Sequence, residues 1–112
     1  MTKYLISFPA EAMTLTPEEL SLASRDSHAV IEEAKAAGVY VFGGGIDEGV
    51  APVRVSGDGT VATDLYPGSR LNGGFCILDV PTHEEAVAWA RRIAAACRCA
   101  QELRAFMYNP AS

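Results

Sequence analysis

A chain of 112 residues with nine Lys and Arg against fourteen Asp and Glu carries a formal charge of −5. Hydrophobic residues make up 49% and charged residues 21%, the balance of one ordinary globular domain able to bury a core without disulfides or metal. Nucleic acid and anionic membrane surfaces are disfavoured as partners, because both need a basic patch and only Arg91-Arg92 are adjacent.

No apolar run approaches the ~20 residues needed to span a bilayer. The opening Met1-Thr2-Lys3-Tyr4-Leu5-Ile6-Ser7-Phe8 is too short an apolar segment for a signal peptide, so a cytoplasmic location is expected. The cysteines are Cys76, Cys97 and Cys99. An odd count without an export signal argues for free thiols. Cys97-Arg98-Cys99 lacks the CxxC spacing and no two histidines stand at ligand spacing, so neither a metal nor a cofactor is expected.

Residues 3–8 are rich in β-formers and read as a first strand ending at Pro9. Thr16-Pro17-Glu18-Glu19 starts a helix with an N-cap Thr, a Pro at the first position and a Glu closing a capping box. It is predicted from Pro17 to about Ala37, with Gly38 as a left-handed terminator, and Leu20, Ala23, Ser27, Val30 or Ile31, and Ala34 as its apolar stripe. Val39-Tyr40-Val41-Phe42 is a second strand running into Gly43-Gly44-Gly45. Alternation in 52–56 and 60–64 around Gly57-Asp58-Gly59 predicts a β-hairpin. Residues 65–72 form a loop, and 74–80 form a buried strand with Phe75, Ile77 and Leu78 facing apolar surroundings. Thr82 opens a second helix with Ala86, Trp89 or Ala90, Ile93 and Cys97 on its inner stripe. Leu103 to Met107 makes a last strand.

The order β–α–β, hairpin, β–α–β predicts an α+β ferredoxin-like sandwich with two helices on one face of an antiparallel sheet. Tyr4, Phe8, Phe42 and Phe75 offer more apolar area than that one face needs. A homodimer stacking sheet on sheet would bury the second face.

Four segments carry a family resemblance: Lys3-Tyr4-Leu5-Ile6; Ala36-Ala37-Gly38-Val39-Tyr40-Val41-Phe42-Gly43-Gly44-Gly45-Ile46; Asp58-Gly59-Thr60-Val61-Ala62-Thr63-Asp64; and Gly73-Gly74-Phe75-Cys76-Ile77-Leu78-Asp79-Val80-Pro81 with its helix. In this order and spacing they resemble the YCII-related proteins, in the branch that carries a DGPF motif. The resemblance implies a ferredoxin-like fold, a dimeric α/β-barrel assembly and a cleft between subunits as a candidate active site, with little implied about the reaction. Where that family reads Thr-Asp-Gly-Pro-Phe, this chain has Thr63-Asp64-Leu65-Tyr66-Pro67, and the Lys-Glu that follows is replaced by Gly68-Ser69-Arg70-Leu71. The altered loop would reshape the cleft. Related proteins carry a first-helix histidine proposed as catalytic, a place that His28 or Ser27 takes here.

The candidate chemistry is sparse. His28 would be a proton-transfer group if a carboxylate orients it, and Asp64 is the candidate carboxylate. Asp64 reads equally well as a turn residue capping backbone amides, and His28 as a solvated helix residue. Arg70 is a candidate bidentate donor to an anionic substrate group, or a plain surface cation. Tyr66 is a candidate ligand contact or a dimer-edge residue. Gly43-Gly44-Gly45 lacks GxGxxG spacing and leads into Asp47-Glu48, which suits a close backbone approach better than a phosphate. Two functions remain: a small cofactorless enzyme using His28 and Asp64 with Tyr66 and Arg70, or a dimeric small-molecule-binding or regulatory module without chemistry.

Overall fold

A computed structural model describes residues 1–111. Strand β1 (Thr2–Phe8) leads through a single 3-10 turn (Ala10–Ala12) to helix α1 (Pro17–Ala36). Strands β2 (Tyr40–Gly45), β3 (Arg54–Val55), β4 (Val61–Ala62) and β5 (Gly74–Val80) follow, then helix α2 (His83–Cys97) and strand β6 (Glu102–Ala105). Four strands form one sheet in the order β2-β5-β1-β6, with every neighbouring pair antiparallel. β3 and β4 pair only with each other.

The helix ends are set locally. The Thr16 hydroxyl oxygen accepts from the Glu19 amide and Thr82 from the Glu85 amide, at 3.2 and 3.1 Å, as each capping box requires. Glu19 does not reach back to the backbone; its carboxylate accepts the Thr16 hydroxyl proton instead. After α1, Gly38 takes φ +75°, its amide bonds the Lys35 carbonyl and the Val39 amide bonds the Ala34 carbonyl. That is a Schellman closure, with Val39 and Ala34 completing its apolar contact. Helix α2 ends differently, with Arg98 left-handed at φ 58°.

Period-two alternation sorts the sheet into two faces. Tyr4, Ile6, Cys76, Leu78 and Val80 point to the helices and are buried with Ala34 of α1 and Ala86, Ala90, Ile93 and Cys97 of α2. The Ser7↔Phe75 and Leu5↔Ile77 pairs point the other way. A bulge in β2 puts two residues, Val41 and Phe42, opposite the single Ile77. Phe42 thereby joins the outer face, and Val41 lines an outer groove together with Ile77. Of the four aromatics expected to overfill one face, Tyr4 and Phe8 therefore belong to the helix side, while Phe42 and Phe75 belong to the outer one. A Lys3–Asp79 ion pair links β1 to β5 on that outer face, and Arg104 pairs with Glu102 along β6.

The hairpin forms where the alternation places it but is much shorter than 52–64. Its three-residue loop closes by Ser56 and Thr60, with Gly59 at φ +91° and Asp58 accepting from the Thr60 amide. With no sheet to join, only two residues a side remain paired. No described helix is long and apolar enough to cross a membrane.

Candidate functional site

An opening with a mainly apolar lining lies between α1 and the sheet, with a volume of about 490 Å³. Its cause is visible in the strand register. On the helix side of the sheet, β2 and β5 present Gly43 opposite Cys76 and Gly45 opposite Gly74. Three of these four positions have no side chain and the fourth is small. At the other end of the sheet Leu78, Val80 and Tyr4 fill the space beneath the helices. At the Gly43–Gly45 end only Ile6 and Phe8 of β1 rise from the sheet toward α1, and a cavity remains.

Each wall has a distinct origin. α1 contributes Leu20, Ser24, Ser27, His28, Ile31, Glu32 and Lys35, residues recurring at helical spacing along one stripe. Ile6 and Phe8 come from β1, and Ile93 and Cys97 from α2. The Phe8 ring rests on Gly74, and the Tyr40 hydroxyl lies over Gly43, 2.9 Å from where a β-carbon would stand. Lys35 Nζ sits 5.4 Å from the centre of the Tyr40 ring, a cation–π distance.

The chemistry on offer is limited. Burial pushes the Cys76 thiol up to about 11, with Cys97 adding to the effect, and burial also raises Cys97. Both thiols are thus neutral near pH 7 and poor nucleophiles. His28 is exposed on α1 with one side on the cavity. Glu32 follows it by four residues, on the same helix face, and its carboxylate pairs with Lys35 at 3.2 Å. Among the described residues, no group of three or more His, Cys, Asp or Glu is arranged to hold a metal ion.

The four residues singled out from the sequence are not brought together here. Only His28 lines this cavity. The Asp64 carboxylate is held by Arg54, whose guanidinium donates to both carboxylate oxygens at 3.1–3.2 Å and to the Asp64 carbonyl at 2.8 Å. Arg70 pairs with Glu11 at 2.9 Å and borders a separate groove with Leu5 and Phe75. Tyr66 is 77% exposed. The lining residues that sequence reasoning passed over are Glu32, Lys35 and Tyr40. The i, i+4 relation of His28 to Glu32 was a readable signal for the first. For Tyr40 there was none, because its place over Gly43 follows from the β2 bulge.

No protein-family model matches the chain, and no curated protein matches it.

Proposed function

We propose that this protein takes up a small, mainly apolar molecule in the cavity between α1 and the sheet and does so as a homodimer. The observation that carries the proposal is the cavity itself. Its volume of about 490 Å³ falls in the range of ligand sites, and an apolar lining with a few polar groups is the usual composition of such sites. Ser24, Ser27 and the Tyr40 hydroxyl would orient the guest. Strand order and the placement of both helices on one side support a ferredoxin-like sandwich, the fold that the YCII-related resemblance implies. The apolar outer face of Leu5, Phe42, Phe75 and Ile77 supports the dimer.

The test uses indole as an apolar probe, titrated calorimetrically. Replacing Ser27→Phe should fill the cavity and weaken indole binding at least tenfold, with the helical circular dichroism retained. Equal binding by the folded variant would overturn the cavity as the site. Light scattering at micromolar concentration should give a dimer, and a monomer would refute that part.

A second reading, an enzyme, is favoured by one specific observation: His28, Glu32 and Tyr40 border the same cavity. In it His28 moves the proton, and Glu32 replaces Asp64 as the carboxylate that orients the ring. Replacing His28→Ala separates the two readings. A binding module keeps its affinity within about twofold and has no turnover to lose, whereas an enzyme keeps binding and loses turnover on its substrate.

A further inference from the structure

Between β2 and β5 the chain leaves the body over residues 46–71, and all of these are exposed except Arg54 and Ala62. Val50, Val53, Val55, Val61, Tyr66 and Leu71 are each more than half exposed. None of the segment joins the core. It is rooted at both ends, by the Ile46 amide on the Gly73 carbonyl and by the Arg70–Glu11 pair. Its middle is held by its own turns and the Arg54–Asp64 pair. A lone two-stranded hairpin is marginal in water, and one that shows water this many valines needs a surface to lie on.

The whole chain has the dimensions of half an assembly. A monomeric protein of its 11.9 kDa exposes about 5,950 Å². This chain exposes 7769 Å², an excess of about 1,800 Å². A standard interface takes about 800 Å² per partner, and obligate dimers take more. The radius of gyration is 15.8 Å where a compact chain of this length has about 13 Å. The extents of 43 × 41 × 21 Å describe a slab one helix layer and one sheet layer thick, so the arm extends beside the body and not over it.

We infer that residues 46–71 are an exchange arm: in the homodimer each copy lays this hairpin against the other, over the margin of the partner's outer sheet face. The excess area matches a second copy, because stacked outer faces would set each sideways arm alongside the opposite body. The inference rests on the dimer proposed above and goes beyond it, since sheet stacking alone would leave the arms in water.

Two measurements test it on the full chain. In dimers mixed from isotope-labelled and unlabelled copies, filtered nuclear Overhauser spectra should show intermolecular contacts from the Val55 and Val61 methyls. The double change Val55→Glu with Val61→Glu should weaken dimerisation about 100-fold, which is about 2.8 kcal/mol at tenfold per 1.4 kcal/mol. The same change should leave the fold intact, because neither valine is in the core. A wild-type monomer would overturn both the dimer and the arm. A dimer without arm contacts, and with an unchanged dissociation constant in the double variant, would overturn the arm and leave the sheet-stacked dimer standing.

Discussion

The ring of Phe8 covers Gly74 so closely that a β-carbon on residue 74 would stand 2.5 Å from it. The two residues are paired across β1 and β5, so neither backbone can retreat without breaking the ladder. Replacing Gly74→Ala should therefore push the ring into the adjoining cavity. Overpacking of this kind costs about 1–3 kcal/mol. Urea melts should show a lower midpoint at unchanged slope, and indole affinity should fall with it. An alanine variant as stable as the parent would mean that the ring is not held there.

The buried thiols give stability a defined pH dependence. The Cys76 pKa lies at about 11 in the fold against an ordinary 9.0, raised by burial and then by Cys97. A thiol whose pKa is raised by folding contributes its full stability below the unfolded value and loses it as pH climbs toward the folded one. The denaturation midpoint should therefore fall between pH 9 and about 11. Replacing Cys76→Ala should flatten that fall. A midpoint that rises across this window would contradict the assignment.

The same burial orders the reactivity of the cysteines. Cys99 is partly exposed while Cys76 and Cys97 are buried, so a disulfide reagent such as dithionitrobenzoate at pH 8 should titrate one thiol readily. The other two should react only on unfolding. Three equally fast thiols would show that the core around Cys76 and Cys97 opens freely.

Arg98 holds a left-handed conformation that a side chain makes unfavourable by about 1–2 kcal/mol, while its guanidinium bonds Asp26 at 2.9 Å. That contact, followed by Arg25, holds the Asp26 carboxyl below its ordinary range. Replacing Arg98→Ala loses the contact and keeps the strain; Arg98→Gly loses both. The glycine variant should melt higher than the alanine one by about 1 kcal/mol equivalent. Equal melting temperatures would argue against strain at this cap.

At the start of α2, the Thr82 cap is a single hydrogen bond from the Glu85 amide. Replacing Thr82→Ala should cost about 1 kcal/mol, and Thr82→Ser should restore most of it. Thermal melts of the two variants check this directly.

Local chemistry made much of this fold legible from the chain alone. Thr16, Gly38 and Thr82 mark helix ends through bonds to residues within five positions, so tertiary context has little power to move them. The apolar run 74–80 marked a buried strand but not its sides: only the pairing with β1 put Cys76, Leu78 and Val80 against the helices and turned Phe75 and Ile77 to the outer face. The cavity was not legible in the same way. It exists because Gly43, Gly45 and Gly74 come from two strands that pair only in the folded sheet, with α1 lying above them. A single bulge moved Phe42 to the outer face, and no spacing rule announces it.

The candidate site divides along the same line. Sequence by itself singled out His28 and Asp64 as residues with the right chemistry, and it located the loop around Tyr66 and Arg70 as the region of departure. Only the tertiary structure decided their company: His28 in one cavity with Tyr40, Asp64 beside Arg54, Arg70 beside Glu11. Side-chain identity states what a group can do, whereas its partners depend on which distant strands and helices the burial of apolar surface brings together.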